Sequence, residues 1–152
     1  MATINGTGLS EVLVGTSLAD EIFGRGGNDT LRGRGGDDDL RGGNGADRLI
    51  GVDVLSATPG LGEIDTIRGN GGADTFVLGD GVNVFYSFNG SDDFADIRGF
   101  QSDLDIIELT GDISDYFFNP DNTAIFETSS NDLIAEFTNG AFAFGDLTFV
   151  SL

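Results

Sequence analysis

The sequence has no cysteine, no histidine, no lysine and no tryptophan, and only two prolines. Without cysteine, neither a disulfide nor a thiolate metal site can form. Without histidine there is no imidazole for acid–base catalysis and no nitrogen ligand for zinc or iron. Seven arginines face 26 acidic residues, for a net charge of −19. Such a surface repels nucleic acid and anionic membranes and suits hard cations that take oxygen ligands. No apolar run approaches the ~18 residues of a membrane span, so membrane insertion is not expected. The opening MATINGTGLSEVLVG lacks a basic region followed by an apolar run, so a Sec-type leader is not expected either. The 152 residues suffice for one domain with its own core.

What is present is glycine, 25 residues of it, and it is phased. Stepping by nine from Gly6 meets Gly15, Gly24, Gly33, Gly42, Gly51, Gly60 and Gly69 without a miss. Position six of the same units reads Glu11, Asp20, Asp29, Asp38, Asp47, Ser56, Asp65, Asp74. Position eight reads Leu13, Ile22, Leu31, Leu40, Leu49, Thr58, Ile67, Phe76. Only GVDVLSATP (51–59) loses both the acid and the apolar residue.

Each unit reads as a tight turn followed by a short strand. Glycine admits the positive φ a tight turn requires, and the last three residues alternate outward, inward, outward. Two units make one coil of 18 residues, with strands stacked in parallel ~4.8 Å apart. Asp20 then lies over Asp38, and Asp29 over Asp47. Two unit charges ~5 Å apart repel by about 0.8 kcal/mol in water and about four times that at a surface-like dielectric. A column of single apolar side chains is too thin to hold such a coil, so the turns call for a cation. Calcium, which takes six to eight oxygens, fits.

GRGGNDTLR, GRGGDDDLR and GGNGADRLI resemble the Gly-Gly-x-Gly-x-Asp-x-apolar-x nonapeptide of repeats-in-toxin (RTX), or haemolysin-type calcium-binding, proteins. The resemblance implies a parallel β-roll with Ca²⁺ in each stacked turn, and type I secretion without a cleaved leader. The residues it assigns to the metal are the carboxylates Asp20, Asp29, Asp38, Asp47, Asp65 and Asp74. With them go the turn backbones of Gly24, Gly26, Gly27, Gly33, Gly35, Gly36, Gly42, Asn44, Gly45, Gly69, Gly71 and Gly72. Glu11 is a weaker member of the series. GADTFVLGD and ADIRGFQSDLDIIEL are similar to the segment that closes many such rolls, particularly acidic, lysine-poor cyanobacterial ones.

Composition shifts near Gly79: 19 of the 25 glycines and six of the seven arginines lie at or before it, 11 of the 13 phenylalanines after it. The expected fold is therefore all-β. A parallel β-roll of nonapeptide repeats over 1–79 is capped by a C-terminal, mostly antiparallel β segment over 80–152, which doubles as the export region. The two are expected to form one folding unit, since a solenoid end needs covering. The aberrant unit 51–59 permits two registers. Kept as a coil, it places Asp65 over Asp47; looped out, it places Asp65 over Asp38 and Asp74 over Asp47. Ser56, Thr58 and Pro59 favour the loop, because they weaken a strand.

Other charges read as surface features. Asp39 falls at an outward position, the arginines at positions two and nine relieve the acidic turns, and Asp103, Asp105 and Glu108 read as solvated turn charge rather than a glycosidase acid pair. No catalytic residue is assigned, and an enzyme is not expected. The expected function is a secreted, extracellular or cell-surface calcium-folded protein that associates with itself, up to a filament, as structural or matrix material. The alternative is a calcium-folded export or accessory module of a larger adhesin, toxin or enzyme system.

Overall fold

Each nonapeptide except 51–59 supplies one strand, and the strands wind into two facing sheets. The computed structural model describes residues 1–151, with fourteen strands. They are β1 (Thr3–Asn5), β2 (Val12–Val14), β3 (Glu21–Gly26), β4 (Thr30–Arg34), β5 (Asp39–Asn44), β6 (Arg48–Val52), β7 (Ile64–Gly71) and β8 (Thr75–Val77), then β9 (Phe94–Arg98), β10 (Ile106–Thr110), β11 (Tyr116–Phe118), β12 (Ala124–Glu127), β13 (Leu133–Thr138) and β14 (Leu147–Val150). One sheet has the order β1-β3-β5-β7-β9-β13-β12-β11, the other β14-β10-β8-β6-β4-β2. From β1 to β10 successive strands thus alternate between sheets, as a coil of two units requires.

The register follows the nine-residue phase. Ile4 pairs with Ile22 and Ile22 with Leu40; on the facing sheet Leu13 pairs with Leu31 and Leu31 with Leu49. The next step is different: Leu40 pairs with Ile67, 27 residues on. The chain loops out at the aberrant unit, so the coil skips nine residues, although Gly51 and Val52 stay in the ladder. Val52 ends β6, and residues 53–63 form turns outside the ladder until Ile64 rejoins it. A threonine at the inward position and a proline could not have continued a strand of this core.

Past Gly79 the parallel stack continues for two more layers. Ile67 pairs with Ile97 and then Ile97 with Phe137; Phe76 pairs with Ile107 and then Ile107 with Leu147. The antiparallel pairing belongs to β11, β12 and β13. Both sheets therefore cross the compositional boundary unbroken.

The core is two columns of side chains between the sheets. Ile22, Leu40, Ile67 and Ile97 on one side and Leu31, Leu49, Phe76 and Ile107 on the other are fully buried. Phenylalanines extend it: Phe76 packs on Phe100, Phe100 on Phe137 and Phe137 on Phe142, with centroids 5.6, 5.4 and 5.1 Å apart. At the opposite end Ile4 and Leu13 are only partly covered. Because each layer holds a single pair of apolar side chains, a deletion has little to collapse onto. Leu40→Ala should cost about 2–5 kcal/mol, read from denaturant midpoints in saturating calcium.

Candidate metal centre

The inner face of each repeat strand reads acid, apolar residue, glycine. Asp20, Ile22 and Gly24 all point inward because they are two residues apart, and the same holds for Asp29, Leu31 and Gly33. The position-six carboxylates are consequently buried at the edges of the core: Asp20, Asp29, Asp38, Asp47, Asp65 and Asp74 are each at most 2% exposed. They stack in two ladders. On one edge the Glu11 N–H donates to Asp29 Oδ1 (2.8 Å), Asp29 N–H to Asp47 Oδ1 (2.7 Å), Asp47 N–H to Asp74 Oδ1 (2.9 Å) and Asp74 N–H to Asp105 Oδ1 (3.0 Å). On the other, Ala2 N–H donates to Asp20, Asp20 N–H to Asp38 (2.8 Å) and Asp38 N–H to Asp65 (2.9 Å).

One oxygen of each carboxylate is thereby satisfied; the other divides the turns into two kinds. Asp29, Asp38, Asp47 and Asp74 each have an Oδ2 that is buried and without a hydrogen-bond donor. Leaving one charged oxygen bare inside a protein costs several kcal/mol unless a cation or proton joins it. In these turns position two has a left-handed backbone at Arg25 (φ 75°), Arg34 (φ 85°), Gly43 (φ 116°) and Asn70 (φ 75°). Position four does so at Gly27, Gly36, Gly45 and Gly72. Position one is packed against the carboxylate: a Cβ on Gly24 would lie 2.5 Å from Asp29 Oδ2, and one on Gly33 would collide with Asp38 Oδ2 and the Gly51 carbonyl. Among the described residues no three acidic side chains converge on one point. A cation here must take carboxylate and backbone carbonyl oxygens together, which is the donor set calcium accepts.

The RTX calcium-binding nonapeptide repeat, in four copies, matches residues 5–49 and 59–94, more than half of the sequence. The chain belongs to this family. The gap in the match, 50–58, overlaps the looped-out segment 53–63, so the insertion divides two runs of RTX repeats. No curated protein matches the chain. A solution structure of a subunit of the Azotobacter vinelandii mannuronan C5-epimerase is 23% identical, covering 94% of this chain and 80% of that one, with a TM-score of 0.33; at that score the superposition adds nothing to the assignment.

The RTX turns are not equivalent electrostatically. Burial, followed by the neighbouring Asp65 carboxylate, pushes Asp38 up to about 8. Burial pushes Asp65 up to about 7 and Asp74 up to about 6, and raises Asp47. Asp20 goes the other way, held down by the amides of Ala2 and Thr16. Thr16 donates to Asp20 Oδ2 with both its N–H (2.7 Å) and its hydroxyl (2.8 Å). Asp65 Oδ2 accepts from the phenol of Tyr86 at 2.6 Å. Thus all six sequence-assigned aspartates lie in the ladders, but two of them meet a protein hydroxyl.

Several residues differ from the sequence reading. Asp105 is not solvated: it is buried and extends one ladder below the last repeat, because it falls in register with Asp74. Glu108 accepts two hydrogen bonds from Arg48, at 2.8 and 2.7 Å. Asp39 is half-buried between Arg41 and Arg68, at 2.7 and 2.6 Å. Asp93, unremarked in the sequence, is fully buried with its Oδ1 bare. It lies two residues ahead of the repeat phase, since Ala95 pairs with Asp65. Tyr86 carried no sequence signal, whereas threonine at position two of the first two units was visible.

Proposed function

We propose that calcium is held at the turns closed by Asp29, Asp38, Asp47 and Asp74, and that folding of the roll depends on it. The observation that carries this reading is the four buried Oδ2 atoms without donors, in turns of the repeat type that binds calcium. Bound calcium supplies positive charge and oxygen coordination to carboxylates that repel one another and lack donors. The protein's own share is to present those oxygens: Oδ1 is fixed by an amide of the preceding layer, and the turn glycines let backbone approach Oδ2. At low cytosolic calcium the roll is open and exportable; at millimolar extracellular calcium it closes. This favours a secreted, non-catalytic protein working outside the cell or at its surface.

Self-association follows from the uneven ends. Both ends leave edge strands, β1 and β2 at one and β11 and β14 at the other, but the second is thickened by the antiparallel β11–β13 and a phenylalanine cluster, whereas the first is a bare coil with Leu9, Val12 and Val14 exposed. An open edge against a neighbour's cap is a heterologous contact, which propagates into a filament if it does not close. The charge of −19 opposes close approach, so assembly requires calcium or salt. Sedimentation in millimolar calcium should show concentration-dependent species. Leu13→Asp should return the protein to a monomer while calcium-induced folding, followed by circular dichroism, persists. A wild type that stays monomeric at high concentration in calcium sinks the assembly proposal.

A further inference from the structure

Position two sorts the turns by one chemical property. Where the carboxylate oxygen is bare, position two is Arg25, Arg34, Gly43 or Asn70, all left-handed. In the other three turns it is β-branched: Thr7, Thr16 and, ahead of Asp65, Val52, since Gly51 packs on the Asp65 carboxylate and Val52 pairs with Arg34, the extra residues following them; none of the three has a positive φ. A branch at Cβ makes the left-handed region strongly unfavourable, so these turns cannot take the same path.

In each of the three, a hydroxyl of the protein reaches the oxygen that is bare elsewhere. Thr7 Oγ1 is 2.9 Å from Glu11 Oε2, Thr16 Oγ1 is 2.8 Å from Asp20 Oδ2, and the Tyr86 phenol is 2.6 Å from Asp65 Oδ2. Tyr86 comes from beyond the repeats. It is fully buried, its N–H donates to the Pro59 carbonyl of the inserted loop (3.0 Å), and its ring edge packs where a Cβ on Gly60 would stand.

We infer that these three hydroxyls take the place calcium has in the other turns, so that Glu11, Asp20 and Asp65 are not metal ligands. This rests on the calcium reading of the bare oxygens. The ion-binding turns are then those of Asp29, Asp47 and Asp74 on one edge and Asp38 on the other. The turns of the first coil need no ion of their own once the roll is folded. The Tyr86 contact ties the inserted loop and the C-terminal segment to the folded roll with no ion at that turn.

Calcium bound per chain, counted by calorimetry on the full chain, tests this. Asp20→Asn and Asp65→Asn should keep the wild-type count, while Asp47→Asn should lose at least one ion. Loss of an ion in either of the first two overturns the inference. An undiminished count in Asp47→Asn overturns the ligand assignment beneath it, so the two failures are distinguishable. Should Asp65→Asn not fold, anomalous scattering from calcium-grown crystals of the wild type decides: a peak on the Asp65 carboxylate overturns the inference, and peaks confined to Asp29, Asp38, Asp47 and Asp74 uphold it.

Discussion

Removing calcium with EGTA at pH 8 and low ionic strength should collapse the β signal of the roll in far-ultraviolet circular dichroism, and restoring millimolar calcium should return it. A ligand that binds only the folded state stabilises it by RT ln(1 + [L]/Kd). Four sites at ten times Kd would contribute about 6 kcal/mol, comparable to the whole stability of an ordinary domain. The remaining forces are weak by construction, since each layer contributes one pair of core side chains, such as Leu31 with Leu40 or Leu49 with Ile67. Opposing them are bare oxygens on Asp29, Asp38, Asp47 and Asp74. High salt should restore part of the signal by screening the charge, without supplying coordination. A spectrum indifferent to EGTA would refute calcium-dependent folding.

Acid should do in part what calcium does. In the metal-free chain Asp38 at about 8, Asp65 at about 7 and Asp74 at about 6 are all raised by burial above an unfolded carboxylate near 3.9. Asp38 faces Asp65, Asp20 and Glu63; Asp65 faces Tyr86, Glu63 and Asp37; Asp74 faces Asp105 and Asp47, so protonation relieves repulsion within each set. A raised folded-state value means the folded form binds protons more tightly. The stabilisation is complete below the unfolded value and is lost as pH climbs through about 6 to 8. EGTA-treated protein at pH 5 should therefore hold more β structure than at pH 8.5. With calcium present the order reverses, because protons and metal compete: apparent calcium affinity should fall between pH 8.5 and pH 6, and binding at neutral pH should release protons. Equal spectra of the metal-free protein at pH 5 and 8.5 would contradict the first expectation, and a pH-independent affinity the second.

Much of this was present in the sequence because the repeat is strictly local. The inward residues Ile22, Leu31, Leu40 and Leu49, the glycines of position one and the stacking of Asp20 on Asp38 all follow from a period of nine and the two-residue alternation of a strand. For the first two units the distinction between turn types was legible as well, in the threonines Thr7 and Thr16 at position two, since β-branching is a property of the residue itself. The sequence left both registers of 51–59 open, because a unit of full length fits either. Only the pairing of Leu40 with Ile67 decides it, which leaves Thr58 out of the core column.

Three further matters belong to the tertiary structure. Tyr86 meets Asp65 across 21 residues, Asp105 meets Asp74 across 31, and Glu108 meets Arg48 across 60. None of these spacings is a multiple of nine, so no periodicity could have announced them. By itself the sequence determined a calcium-type roll, its core columns and its two carboxylate edges, because each depends on spacing within one or two units. The fold alone decided where the parallel stack ends and that Asp65 meets a hydroxyl, because those depend on which distant segment is laid against a given turn.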